Sequence, residues 1–344
     1  MSQGRTRRRS PASSPEPAPA RPGRPPGRRG GPGAAAVVVL AVAFFALALA
    51  VLLRFFVADR LLVAPTDAYT RAELRANGAT YFDRRALKPR TGADLTLTTT
   101  VRGNVRASNG DVAVWDTFAV LEDLANGNQI DISQHRMAFD RRTAGLVNCC
   151  GATAKPPSGP PVYGTFLPIG VGKRAYQVHD TSTGRAWPMR YEATETIGGL
   201  RTYRYTQRIE ETRIGEQSGG VPSTLLGLPG PSRTVAADRY YRGTVTAWVE
   251  PRTGAIVDRR QRVTSTVRGR DGQGELLAAD FDLRMSPETR RALIARAEDS
   301  AGTVTLLRTT GPITGLVAGL VLLGLGTVLL VRRRRRDELA NEPF

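Results

Sequence analysis

Two adjacent cysteines, Cys149 and Cys150, are the residues whose type and spacing point most directly to chemistry, and the chain contains no other cysteine. Thiols can form a disulfide or ligate a metal ion. A bridge between neighbours would close a strained ring, because their Cα atoms lie closer together than in ordinary disulfides. Three states therefore stay open: a vicinal disulfide, two reduced buried thiols, or an intermolecular bridge. A zinc site is not expected, since no further ligands lie nearby.

The other reactive side chains show no catalytic spacing. His135 and His179 have no fixed carboxylate partner, and the sequence lacks a Gly-x-Ser-x-Gly elbow and a phosphate-binding loop. We expect each histidine to be an ordinary sheet residue. Asp116, which follows Trp115, and Asp140, which precedes two arginines, are expected to form structural ion pairs and turns. The sequence therefore predicts no catalytic residue, no metal and no cofactor, and we expect that the protein is not an enzyme.

Three glycines, Gly311, Gly315 and Gly319, recur four residues apart and would lie on one face of a helix. Small residues at this spacing allow two helices to approach closely, and Ala46 and Ala50 offer a similar face. These glycines are the predicted helix-packing face, either between two helices of one chain or between copies in a homo-oligomer. The alternative is that glycine is simply common in membrane helices.

The segments that carry these small residues are long enough to cross a lipid bilayer. Residues 311–331 contain no ionisable side chain and precede five arginines at 332–336. About 20 apolar residues span the hydrocarbon core, and adjacent arginines tend to stay on the cytoplasmic side. A second apolar run begins at residue 34, after a tail with eight arginines and one glutamate. It is too long for an ordinary signal peptide, so we favour an uncleaved signal anchor over a cleaved signal.

These segments predict five regions: a disordered, Arg/Pro-rich cytoplasmic tail (1–33), a transmembrane helix (34–58), an extracytoplasmic domain (59–310), a second transmembrane helix (311–331) and a basic cytoplasmic tail (332–344). The formal net charge is +18. Basic tails beside membrane spans are explained by orientation and by anionic lipids, so no nucleic-acid partner is expected. The predicted location is the cell membrane, with both termini inside and the central domain outside.

The central region has the pattern of an antiparallel sheet. Threonines alternate with apolar residues over 95–101, and strand-like runs continue across short Asn-Gly turns. The predicted fold class is a mainly β, antiparallel (α+β) domain flanked by two transmembrane helices. A short helix is predicted over 68–74, closed by a turn at 77–78. Ser286 and Pro287 are expected to begin a longer helix, and leucines within 215–232 are expected to tuck onto the domain or the bilayer.

One short pattern recurs along the strands. An acidic residue followed by threonine and glycine appears at Asp140, Asp180 and Glu250, each time between two strand-like runs. This pattern is typical of a tight turn with a positive φ near its end. Recurrent hairpin chemistry is a sufficient explanation, and a duplicated β unit is the alternative.

Four blocks of sequence resemble a known family: ATYFD at 79–83, VWD at 114–116, AFDRRT at 138–143 and NCCGA at 148–152. The resemblance is to an actinobacterial membrane family filed as domain of unknown function 3068 and also labelled porin PorA. It implies an envelope protein with an N-terminal anchor, an extracytoplasmic domain and a C-terminal span, without an established activity. A transmembrane barrel would need a lipid-facing apolar band on its strands, whereas here the long apolar runs are helical.

Our leading hypothesis from the sequence is a non-enzymatic envelope protein whose outer domain binds or passes on an envelope component, either a lipid or an acidic polymer. The motivation is the two-ended anchor, the basic outer region and the lack of a catalytic motif. The alternatives are a channel or porin subunit, a structural or assembly protein, and an enzyme whose site is spread across the fold.

Overall fold

The computed structural model describes residues 32–340, so most of the predicted tail of 1–33 and the last four residues lie outside the described residues. Within this range the chain forms two compact units. One contains residues 32–44 and 320–340, which are helical. The other contains residues 45–319 and includes the sheet.

The helices lie at the two ends of the described chain. They are α1 (Pro32–Leu52), α2 (Ala58–Leu61), α3 (Pro287–Thr305) and α4 (Gly311–Ala340). Five-residue π-turns, Leu53–Val57 and Leu306–Thr310, connect α1 to α2 and α3 to α4. Gly302 does not interrupt α3.

The start of α3 is confirmed. Ser286 caps it by accepting a hydrogen bond from the backbone N–H of Thr289, and Pro287 occupies the first turn, where its missing N–H costs little. Pro312 lies in the first turn of α4, directly after the π-turn Leu306–Thr310, and the helix continues through it.

Thirteen strands lie between the helices among the described residues. They are β1 (Tyr69–Asp83), β2 (Lys88–Gly103), β3 (Val112–Asp123), β4 (Gln129–Asp140), β5 (Val162–Tyr163), β6 (Tyr176–Asp180), β7 (Arg185–Ile197), β8 (Leu200–Glu216), β9 (Val221–Pro222), β10 (Thr234–Val235), β11 (Ala237–Val249), β12 (Ile256–Gly269) and β13 (Glu275–Met285). Two of them, β9 and β10, form a separate small sheet.

The other eleven strands form one sheet in the order β4-β3-β2-β1-β13-β12-β11-β8-β7-β6-β5. All neighbours are antiparallel except β5 and β6. The two outer strands are also linked, because Leu146 bridges to Phe139 in β4 while Gly145 bridges to Tyr163 in β5. The sheet therefore curls until its two ends meet through the segment after β4. The mainly antiparallel β fold is confirmed, as are two helices apolar enough to span a membrane.

One face of the sheet carries the core. Its largest cluster of buried residues joins β5, β6, β7, β8, β11 and β12. A row of tyrosines in edge-to-face contact begins in this cluster with Tyr163, Tyr176 and Tyr205 and continues to the partly buried Tyr191 and Tyr203. A second cluster lies on β1, β2, β3 and β13, and a third lies near the end of β4. Edge-to-face aromatic pairs add to the free energy of burial, so this row stabilises the curled sheet.

The predicted helix over 68–74 is wrong, because residues 69–74 belong to β1. The stretch alternates polar and apolar residues, and Leu74 and Ala76 are buried on the core face. Pairing with β2 on one side and β13 on the other outweighs local helix propensity. The expected turn is instead a bulge: the register with β2 shifts between Ala76 and Ala79, and Gly78 takes a φ of 70°.

The recurrent acidic turn occurs at five hairpins. In each, a carboxylate at the end of a strand accepts backbone N–H groups two or three residues later, and the fifth residue has a positive φ. The five acids are Asp83, Asp123, Asp140, Asp180 and Glu250. Five copies spread around the sheet favour recurrent hairpin chemistry over a duplicated unit.

The segment after β8 contains a short 3₁₀ turn, Ser223–Leu226, and its leucines pack on the sheet. Leu226 is buried with Val267 of β12, which confirms that this segment tucks onto the domain. Another long connection, residues 164–175, docks on the turn at Glu250. Gly254 is required there, because a Cβ at this position would lie 2.0 Å from the carbonyl oxygen of Leu167.

Candidate functional site

The two long helices meet on small side chains. Gly315 of α4 faces α1: a Cβ placed on Gly315 would lie 3.1 Å from the Cβ of Ala50 and 3.5 Å from the carbonyl oxygen of Ala46. Gly311 lies near Leu53, and Gly319 is buried. A side chain at Gly315 would crowd Ala50, so the helices of one chain pack directly against each other here.

Close packing also occurs within the unit formed by residues 32–44 and 320–340. A Cβ on Gly326 would lie 2.7 Å from the side chain of Leu40, and Ala36 and Ala43 are fully buried. Sequence reasoning missed Gly326, Ala36 and Ala43. Ala36, Ala43 and Ala50 recur every seven residues, and this spacing is the signal that identifies the packed stripe.

The outer residues of both helices are apolar and exposed. Only 17% of the most apolar stretch of the first span is buried, and 11% of that of the second. A core helix of a soluble protein would be mostly buried, whereas both of these helices are mostly exposed as the structure shows them.

The side chains on the outer face of the sheet form ion pairs. Arg268 binds Glu211 and Glu275 at 2.6 and 2.7 Å, and Arg213 binds Asp238 at 2.8 Å. These groups are partly exposed, and charges facing lipid near the middle of a bilayer cost about 2–4 kcal/mol each. The outer face of the sheet is therefore suited to water and not to hydrocarbon.

A cleft of about 620 Å³ separates the first half of α3 from β12 and β13. Five arginines line it, yet acids lie beside them: Arg290 contacts Asp258 at 3.3 Å, and Arg260 binds Asp282. Burial raises the pKa of Asp258, and hydrogen bonds from Arg259 and Arg290 offset part of this shift. Carboxylates therefore offset part of the positive charge of the cleft, and these contacts form an ion-pair network.

The sequence-predicted polar residues occupy structural positions. Asp116 binds Arg136 at 2.6 Å, which lowers the pKa of this carboxyl, and Asp140 forms a turn. Both histidines lie on strands, and burial lowers the pKa of His179. Within residues 32–340 no three acidic, histidine or cysteine side chains come together in a way that could hold a metal ion.

The structure joins Cys149 and Cys150 through a disulfide. The bridge lies in the segment that connects the two ends of the sheet. Val147 donates to the carbonyl oxygen of Ala138, and Thr153 donates to that of Arg136, so the cysteines sit in a loop held against β4 at both sides.

We expect this bridge to be present in protein purified without reductant. Iodoacetamide should then leave the mass of the denatured, unreduced chain unchanged and should add two groups after reduction, because a disulfide does not alkylate. Intact-mass spectrometry measures the number of added groups in the unreduced and in the reduced sample. The reduced sample is the control for reagent activity, and two alkylated thiols in the unreduced monomer would refute the vicinal bridge.

A comparison with known protein families matches the description "Porin PorA" over residues 35–328, which is most of the chain. The chain belongs to the porin PorA family. It is similar to a protein named Porin PorA from Corynebacterium resistens, with 23% identity over 288 residues that cover 62% of this chain and 70% of the relative.

The resemblance to porin PorA is therefore confirmed, and the match includes most of α1, α4 as far as residue 328, and the whole sheet. Membership in a porin family, together with two apolar helices, indicates a membrane or envelope location. The family name supports the alternative of a channel subunit better than our leading hypothesis of envelope-component binding.

Proposed function

We propose that this PorA-family chain is a subunit of a membrane channel that is assembled from several copies, with the conducting path between their membrane helices. The observation that carries the proposal is the close contact of Gly315 with Ala46 and Ala50. Two helices that touch on small residues enclose no space, so a pore requires helices from further copies. The exposed apolar faces of α1 and α4 are the surfaces on which copies and lipid would meet.

The sheet is proposed to remain outside the bilayer. Its charged outer face opposes insertion into lipid, while the arginines at both ends of the sequence favour the cytoplasmic side. The proposed topology has both termini inside and the sheet outside. An epitope tag at either terminus should therefore be inaccessible to an impermeant reagent on intact cells, and labelling of a terminal tag without permeabilisation would contradict this topology.

The purified full chain in a planar lipid bilayer should give discrete conductance steps. A ring of arginines contributed by several copies would stand at one end of the path, and such rings favour anions. We therefore expect an anion-selective reversal potential in a potassium chloride gradient. The double substitution Arg332→Gln and Arg334→Gln should move this potential towards zero, because it removes two exposed charges per copy beside the span.

The matched control is Arg208→Gln, which removes an exposed arginine from β8, far along the sequence from the span. It should leave the reversal potential unchanged. Folded protein that forms multimers, as measured by mass photometry, but gives no conductance steps would overturn the channel proposal. Equal shifts in both variants would instead show that the arginines act through the overall charge of the protein.

A further inference from the structure

A second cavity, of about 400 Å³, opens at one end of the curled sheet. It lies between the turn after β1, the turn before β4 and the segment that follows β8, and we call it the end slot. Its walls are largely apolar, and they include Phe82, Leu87, Ile130, Leu225, Val267 and Leu276. The volume falls in the range of small-ligand sites, and corresponds to about a dozen methylene-sized groups if each occupies ~30 Å³.

The charged residues of the end slot are predominantly basic. Three arginines, Arg84, Arg85 and Arg239, line it together with one carboxylate, that of Asp83. Asp83 already accepts hydrogen bonds from the backbone N–H groups of the turn, at 2.8 and 3.1 Å, and Arg85 donates to Asn128 at 3.0 Å. The slot therefore keeps an excess of positive charge after these contacts are counted.

Arg239 is the decisive residue. It pairs with Val267 across the β11–β12 ladder, so its side chain stands on the face that lines the slot. The side chain is half-buried, yet among residues 32–340 it has no ion pair and no hydrogen bond. Water solvates this guanidinium when the slot is empty, and an anionic group that enters the slot would bind it through charge-assisted hydrogen bonds.

We propose that the end slot binds a single-chain anionic amphiphile, with its acyl chain between the apolar walls and its carboxylate on Arg239. An acyl chain without a charge would leave the guanidinium unpaired, and a small anion without an acyl chain would leave the apolar walls exposed to water. Arg84, at the rim, adds attraction for the same head group. This ligand site goes beyond the proposed channel, and its occupancy can be measured independently of conductance.

The test uses the full chain in nanodiscs of a zwitterionic phosphatidylcholine and a palmitic acid analogue with a photoactivatable diazirine in its tail. After illumination and digestion, mass spectrometry gives the ratio of label in residues 217–225 and 276–278 to label in residues 37–52. Residues 37–52 belong to the apolar helix α1, so their label is the internal reference for probe that is dissolved in the lipid. We expect strong labelling of the end slot. Unlabelled palmitate should reduce this labelling by competition, whereas acetate should not. The matching diazirine alcohol should label the slot about tenfold less, because it lacks the charge-assisted hydrogen bond.

Arg239→Gln should lower slot labelling by the acid about tenfold and leave labelling by the alcohol unchanged. Arg239→Lys should keep most of the labelling by the acid, because it keeps the positive charge. Arg242→Gln is the matched control, since Arg242 lies on the same strand and is exposed. Circular dichroism checks that each variant is folded. Equal slot labelling by acid and alcohol, undiminished labelling of Arg239→Gln, or label confined to the helices would each overturn the proposal.

Discussion

Replacing Asp123 with alanine is expected to lower the free energy of unfolding of the sheet by about 3 kcal/mol. Asp123 is fully buried at the end of β3. Its carboxylate accepts a hydrogen bond from the hydroxyl of Tyr81 at 2.9 Å and from the backbone N–H of Ala125 at 2.9 Å, and it binds Arg90 at 2.8 Å. Alanine would leave all three donors without this partner. Denaturant unfolding in detergent, followed by near-ultraviolet circular dichroism, measures the change.

The matched control for this substitution is Asp131→Ala on the neighbouring strand β4. Asp131 is exposed and has no ion pair among the described residues, so the expected change is within about 0.5 kcal/mol. Tyr81→Phe removes one of the three donors and should cost about 1 kcal/mol. A change of less than 1 kcal/mol for Asp123→Ala would show that water replaces the lost carboxylate, and would contradict the structural role assigned here.

The second large effect is expected from Gly315→Leu. The structure leaves so little space between α1 and α4 that even a methyl group would crowd Ala50, and a leucine must push the two helices apart. Overpacking of this kind costs about 1–3 kcal/mol. The thermal unfolding temperature in detergent should therefore fall, and the frequency of conductance steps in planar bilayers should fall with it.

Gly324→Leu is the control on the same helix, because no atom lies within 4 Å of a Cβ placed there. It introduces the same side chain and the same helix propensity, so only the steric contact differs. If the two variants lowered the unfolding temperature equally, the effect would come from the added leucine itself and not from the contact between α1 and α4. An unchanged unfolding temperature for Gly315→Leu would contradict the packing.

Most of the sheet could be predicted from local sequence patterns, and the predictions that failed did so for physical reasons. The alternation over 95–101 identified β2 because side-chain direction in a strand has a period of two. The same period is present over 70–76, but alanine and leucine also suit helices, and pairing with β13 decides the outcome. Since β13 lies about 200 residues later, no local signal contains this information.

The candidate sites differ in how far the sequence could locate them. Gly315 follows from its spacing, since a four-residue period places small residues on one helix face. The end slot could not be predicted, because its walls come from several separate segments. The unpaired state of Arg239 was equally hidden, because it depends on which neighbours the curled sheet brings near and not on the residues beside it in the chain.

The two π-turns, Leu53–Val57 and Leu306–Thr310, contact each other beside the closely packed small residues of α1 and α4. Each holds one more residue than an α-helical turn of the same span, and one residue corresponds to a rotation of about 100°. Regular α-helical winding of the same residues would rotate Gly315 away from Ala50, whereas loss of one residue together with the π-turn would leave its direction nearly unchanged. Each π-turn therefore lets the chain contain one extra residue while the small residues of α1 and α4 stay in contact.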